Sequence, residues 1–134
     1  MKSKILVVSA NYYRDISTRL EAAAETALTK IGIKFKKVEV AGVFEIPVVI
    51  AKNINKYDGF VALGCVIKGE TPHFDYISKT TINAIMNLSV EYKKPIGNGI
   101  ITCFNKKQAV ERSISKNNKG REAAKAILSV LKIF

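Results

Sequence analysis

The sequence predicts a three-layer α/β/α sandwich built on a four-stranded, mainly parallel sheet, with residues 1–134 forming one domain. Three observations lead there. The chain has 134 residues, enough to close one sizeable core. Hydrophobic residues make up 48% and charged residues 25%, ordinary values for a globular fold rather than a disordered chain. Short apolar runs alternate with longer segments of helical spacing in the order β-α-β-α-β-α-β-α-α. That order calls for parallel strands joined by helical crossovers on both faces of the sheet.

Each element has its own signature. Residues 4–9 begin with Lys4 and carry the apolar run Ile5-Leu6-Val7-Val8, read as a buried strand. The run is too short for a signal peptide and leads into Asn11-Tyr12-Tyr13-Arg14-Asp15 rather than a small-residue cleavage site. Residues 14–31 have helical spacing, and Gly32 ends them as a C-terminal glycine does. Residues 34–40 alternate lysine with apolar positions, the pattern of an edge strand. Residues 45–55 read as a helix with Pro47 confined to its first turn. Residues 60–67 are continuously apolar, as a central strand covered on both faces must be. Residues 72–93 form a long helix, 96–103 a second buried strand, and 106–115 and 119–131 the closing helices. The longest charge-free stretch of this kind, Thr80–Val90, falls far short of the roughly 20 residues a spanning helix needs, so no membrane helix is expected and the protein reads as cytoplasmic.

The charge balance is strongly basic. Twenty-two Lys and Arg against eleven Asp and Glu leave +11, and residues 106–134 hold eight basic and two acidic side chains. Such a surface attracts phosphate in any form, although a merely solvated cationic exterior explains it equally well. Two cysteines, Cys65 and Cys103, have no paired spacing, which excludes a zinc finger, a redox CxxC and a disulfide framework. A single histidine excludes a histidine-built metal site.

Parallel sheets bind ligands beyond the C-terminal ends of their strands, and three strand ends are unusual. After the first strand, Tyr12 and Tyr13 either stack on a flat heterocycle or lid the core. After the third comes Cys65-Val66-Ile67-Lys68-Gly69-Glu70-Thr71-Pro72-His73-Phe74. Thr71 then Pro72 reads as a hydroxyl cap followed by proline at the first helical position. Gly69 lets backbone approach a ligand, and the new helix's N–H groups with the Thr71 hydroxyl offer an anion site. His73, in the first helical turn, is either a general acid or base beside that anion or a lone surface histidine. In the fourth strand, Gly97 and Gly99 signal close packing against another backbone. Arg112 further on offers a planar fork for phosphate or is one surface cation among many. The chain has no Walker A loop, GxGxxG or GxSxG elbow, and its first strand end lacks a receiver domain's acidic cluster. Residues alone reach a phosphate-binding α/β domain with one candidate acid/base.

Four segments resemble the 6,7-dimethyl-8-ribityllumazine synthase family: Gly42-Val43-Phe44-Glu45-Ile46-Pro47, Ala62 through Tyr76, Pro95-Ile96-Gly97-Asn98-Gly99-Ile100 and Asn118-Lys119-Gly120. The likeness runs in order over nearly the whole chain, and its central block is long and specific. It implies a flavodoxin-like sandwich and the penultimate step of riboflavin synthesis. There, 5-amino-6-(D-ribitylamino)uracil condenses with 3,4-dihydroxy-2-butanone 4-phosphate, with release of phosphate and water. The resemblance implies that Tyr12 stacks on the pyrimidine and that Val43, Phe44, Glu45, Cys65, Val66 and Ile67 meet the pyrimidine and ribityl groups, with Asn98 and Lys119. It implies that Glu70, Thr71 and Arg112 hold the butanone phosphate, with Arg112 and Asn98 reaching across from a neighbouring subunit. His73 matches the proton-transfer residue. Neither cofactor nor metal is implied. The expected partners are small-molecule substrates and further copies of the chain, in a pentamer or a sixty-subunit shell of pentamers, with a riboflavin synthase a possible companion of such shells. Neither nucleic acid nor membrane is among them.

The chain departs from the family pattern at four places. Tyr12 stands where phenylalanine or tryptophan is usual, Ala41 where proline is common, and Lys68 where arginine is frequent. The segment Ile114-Ser115-Lys116-Asn117 lacks a glycine-bracketed kink. Two other readings compete. A flavin- or phosphate-binding module without turnover explains Tyr12 and the anion site but gives His73 no task. A basic shell or nucleic-acid-binding protein accounts for the charge but finds few aromatics interleaved in the basic C-terminal third.

Overall fold

A computed structural model of the chain describes residues 3–133. Four strands, β1 (Lys4–Ala10), β2 (Lys34–Val40), β3 (Gly59–Ile67) and β4 (Ile96–Cys103), make one all-parallel sheet in the order β2-β1-β3-β4. The helices are α1 (Arg14–Lys30), α2 (Ile46–Asn53), α3 (His73–Tyr92), α4 (Lys106–Glu111) and α5 (Lys119–Ile133). The flavodoxin-like three-layer architecture expected from the sequence is the one found.

The sheet's two faces carry separate cores, because side chains on a strand alternate between faces. Ile5, Val7, Val61, Leu63, Ile101 and Cys103 pack under α1 and α5, against Leu20, Ala24, Ala123 and Ile127. Leu6, Val8, Phe60, Ala62 and Ile100 pack under α2 and α3, against Ile46, Ile50 and Ile85. β1 and β3 are buried almost end to end, which is why their sequences show apolar runs without alternation. β2 lies at an edge, as its lysines require.

β4, read from the sequence as a buried strand, is largely buried yet lies at the other edge of the sheet. It reads as a buried strand because α5 seals one of its faces. A Cβ on Gly97 would stand 2.3 Å from the Ala123 carbonyl oxygen, so the glycine is what lets α5 lie directly on the strand. The free edge of β4 is partly closed by side chains. Arg112 Nη1 donates to the Thr102 carbonyl at 2.9 Å, and Asn98 Oδ1 accepts from the Ile100 N–H at 3.1 Å.

Three helix boundaries also shift. The segment expected as helix from residue 45 opens instead as a 3₁₀ turn over Val43–Glu45, with Pro47 in the first turn of α2 as anticipated. α4 stops at Glu111 rather than Ser115 because Asn118 turns the chain: its Nδ2 donates to the Ser113 and Arg19 carbonyls at 2.8 and 3.0 Å. The following kink forms without glycine, at Ser115 with φ +46°. Third, Pro72 rather than Thr71 holds the cap position of α3, and His73 is the first helical residue. The Thr71 hydroxyl still accepts a long hydrogen bond, 3.4 Å, from the His73 N–H.

Candidate active site

In the strand order β2-β1-β3-β4 the direction of winding reverses between β1 and β3, and ligands bind outside the C-terminal ends of strands at such a reversal. A cavity of about 410 Å³ opens there, lined by Tyr12 and Tyr13 after β1, Gly42-Val43-Phe44 after β2, Cys65-Val66-Ile67 at the end of β3, and His73 and Ile77 on α3. Seven residues expected at the site from the sequence therefore share one cavity: Tyr12, Val43, Phe44, Cys65, Val66, Ile67 and His73.

Local structure explains how each side chain gets there. Gly64 has no side chain where one would meet Val43 Cγ1 at 2.6 Å, so the 3₁₀ turn can seat against the end of the sheet. Glu45 does not line the cavity; its Oε1 accepts from the Gly42 N–H at 3.0 Å and locks the turn that carries Val43 and Phe44. The two tyrosines divide the roles the sequence left open. Tyr12 is 76% exposed, a free ring at the cavity wall, whereas Tyr13 is half-buried and packs on the α1/α5 core as a lid. Burial pushes the Tyr13 phenol above its ordinary pKa, so this ring stays neutral. Burial, with the neighbouring Cys103 thiol, pushes Cys65 up to about 12. Cys65 is thus a neutral wall of the cavity and no nucleophile.

The cavity wall is mostly apolar, from Val43, Phe44, Val66, Ile67 and Ile77, and no lysine or arginine lines it among the described residues. It suits a flat heterocycle stacked on an aromatic ring, with one imidazole at hand for proton transfer. Glu70 and Thr71 lie in the exposed loop just before α3, next to His73 but outside the cavity lining. Asn98, Arg112 and Lys119 are elsewhere. They line a second cleft of about 260 Å³ along β4 with Ile100, Ile101 and Thr102, and this cleft shares no residue with the first. Sequence reasoning missed Gly42 and Ile77 as lining residues. Ile77 is one helical turn beyond His73, so the i, i+4 spacing on α3 was the signal.

Comparison with known proteins shows the family. The family model for 6,7-dimethyl-8-ribityllumazine synthase matches residues 2–134. Proteins of that name are similar to this chain: one from Beijerinckia indica subsp. indica is 41% identical over 133 residues, spanning 96% of this chain and 74% of the relative. One from Methylorubrum populi is 43% identical over 139 residues, spanning 98% and 82%. One from Bartonella tribocorum is 42% identical over 134 residues, spanning 97% and 89%. With an aromatic, apolar cavity at the sheet's reversal point and a family match from end to end, the chain belongs to the 6,7-dimethyl-8-ribityllumazine synthase family.

Proposed function

We propose that the chain condenses 5-amino-6-(D-ribitylamino)uracil with 3,4-dihydroxy-2-butanone 4-phosphate at a site completed by two copies. One observation carries the shared site. Among the described residues no lysine or arginine lines the cavity with Tyr12 and His73, while Arg112 and Lys119 stand with Asn98 in a different cleft of the same chain. A phosphorylated substrate needs both surfaces, and docking one copy's cavity against the next copy's cleft supplies them.

In this reading the pyrimidine stacks on Tyr12 between the Phe44 turn and the end of β3, and the phosphate rests between Thr71, Glu70 and the neighbour's Arg112. The substrate amine attacks the ketone and water leaves as the imine forms. Phosphate departs by elimination as the C3 proton is removed, the enol left behind tautomerises to a ketone, and attack of the second amine on that ketone with loss of a second water closes the ring. His73 moves protons at these steps, an effect of about 10²–10⁴-fold. Side-by-side placement of the two substrates supplies much of the rest.

Homo-oligomerisation is supported by apolar side chains left exposed on α2 and α3, namely Val48, Tyr76, Met86 and Val90. A ring of five is the assembly we propose, in the cytoplasm, where both polar substrates would be dissolved. No helix among the described residues is long and apolar enough to cross a membrane.

The test mixes purified protein with both substrates and follows lumazine absorbance against the uncatalysed reaction. Acceleration proportional to protein is expected. None from a folded oligomer would overturn the reading in favour of a flavin-binding module without turnover.

A further inference from the structure

Tyr12 is the ring a heterocycle would stack on, yet it is 76% exposed and its one aromatic neighbour among the described residues is Tyr13. The two ring centroids are 4.9 Å apart at 79°, an edge-to-face pair. Tyr13 has a second neighbour as well. Lys106 Nζ, from the start of α4, lies 5.3 Å from the centre of the Tyr13 ring, and the same ammonium pairs with Asp15 of α1 at 3.0 Å. The Asp15 carboxyl is held below its ordinary pKa chiefly by this hydrogen bond, so it is a carboxylate at neutral pH. Asp15, Lys106, Tyr13 and Tyr12 thus form a continuous strut from α1 and α4 to the cavity wall, where Tyr12 is the exposed ring and Tyr13 the half-buried one.

We propose that Tyr13, braced by Lys106 and Asp15, is a positioning residue that fixes the orientation of the Tyr12 stacking ring and thereby sets affinity for the pyrimidine substrate. The inference rests on the synthase reading of the cavity. An exposed tyrosine without this brace samples several rotamers, and ordering it on binding would be charged against stacking. The strut orders the ring in advance. Lys106 acts through the aromatic ring, 5.3 Å from its ammonium, while that ammonium also pairs with Asp15.

The experiment compares Tyr13→Leu, Tyr13→Phe and Lys106→Met with the parent oligomer, measuring KM for each substrate and kcat. An edge-to-face pair contributes enough to alter affinity by about 2- to 10-fold. Tyr13→Leu is therefore expected to raise KM for the ribitylaminopyrimidine by roughly that factor. KM for the butanone phosphate should not move, and Tyr13→Phe should restore the parent value. Lys106→Met, at an exposed position, should raise the same KM by about 2-fold. A readout independent of turnover uses fluorotyrosine-labelled protein. The ¹⁹F resonance of Tyr12, identified by its loss in Tyr12→Phe, should shift towards a free ring in Tyr13→Leu. Unchanged pyrimidine KM and an unmoved Tyr12 resonance in Tyr13→Leu would overturn the inference while leaving the synthase reading standing. So would a rise in butanone phosphate KM alone in Lys106→Met, which would make Lys106 a phosphate cation. If the parent protein shows no turnover, it is the synthase reading that fails, and the ¹⁹F comparison still decides the strut.

Discussion

Two damaged oligomers should repair each other if the active site spans two copies. The first variant, Arg112→Ala, removes the fork from the β4 cleft and leaves the cavity untouched. A lost hydrogen bond to a charged group is worth about 1.5–3 kcal/mol, so kcat/KM for the butanone phosphate should fall about 10- to 100-fold. Folding should survive, because the Thr102 carbonyl that Arg112 occupies lies at a sheet edge, where water can replace it. The second variant, Tyr12→Ala with His73→Ala, removes the stacking ring and the imidazole from the cavity and should cost about 10³-fold or more. In a ring assembled at random from equal amounts of the two, each site joins one copy's cavity to its neighbour's cleft. Half the cavities and half the clefts are intact, so about one quarter of sites are fully restored. Co-expressing the two with different tags, isolating doubly tagged oligomers and following lumazine absorbance should show about a quarter of the parent rate per chain. If doubly tagged oligomers are no more active than the mean of the two variants alone, cavity and cleft do not meet across an interface and the shared site is wrong.

Other outcomes follow from the same geometry. His73→Ala alone should slow turnover while leaving the oligomer intact on size-exclusion chromatography; an unchanged rate would reduce His73 to a surface residue. Gly97→Ala would push a Cβ to 2.3 Å from the Ala123 carbonyl, forcing α5 off the sheet, and should cost about 3 kcal/mol in urea unfolding. Lys93 ends α3 in the left-handed region, φ 55° and ψ 42°, so Lys93→Gly should raise stability by about 1 kcal/mol, measured the same way. Stability should also decline in alkali. The Cys65 thiol is raised from 9.0 to about 12 by burial, so from pH 9 upward the unfolded chain loses this proton before the folded one does. Lys37, raised by its hydrogen bond to Glu21, acts in the same direction: its contribution is complete below 10.5 and disappears as pH climbs through its folded value. A pH series of urea midpoints should therefore fall between pH 9 and 12, and Cys65→Ala should flatten that fall relative to its own value at pH 7.

The alternation of strands and helices along the chain, the two-sided burial of β3 and the edge character of β2 were all legible in the sequence. Each is a one-dimensional pattern: apolar run length, alternation, and glycine or proline at a boundary. The β3–α3 block likewise announced a site, because a cysteine-to-histidine stretch with glycine, threonine and proline before a helix has little structural reason of its own. The end of α4 was not legible, since what stops it is Asn118 reaching the Arg19 carbonyl 99 residues away. Nor was the edge position of β4, whose apolar pattern comes from α5 lying on Gly97.

Sequence alone thus determined the family, the layered fold and most of the residues that gather at the cavity, because these depend on local pattern and residue type. Tertiary structure alone decided how those residues are divided. It put Tyr12 and His73 in one cavity and Arg112, Lys119 and Asn98 in another cleft, left Glu45 outside the cavity to lock a turn through the Gly42 N–H, and made Tyr12 the free ring with Tyr13 edge-on against it. Adjacent residues in a loop look alike in sequence. Only the packing of α1 and α4 around them settles which side chain is buried and which is left to meet a ligand.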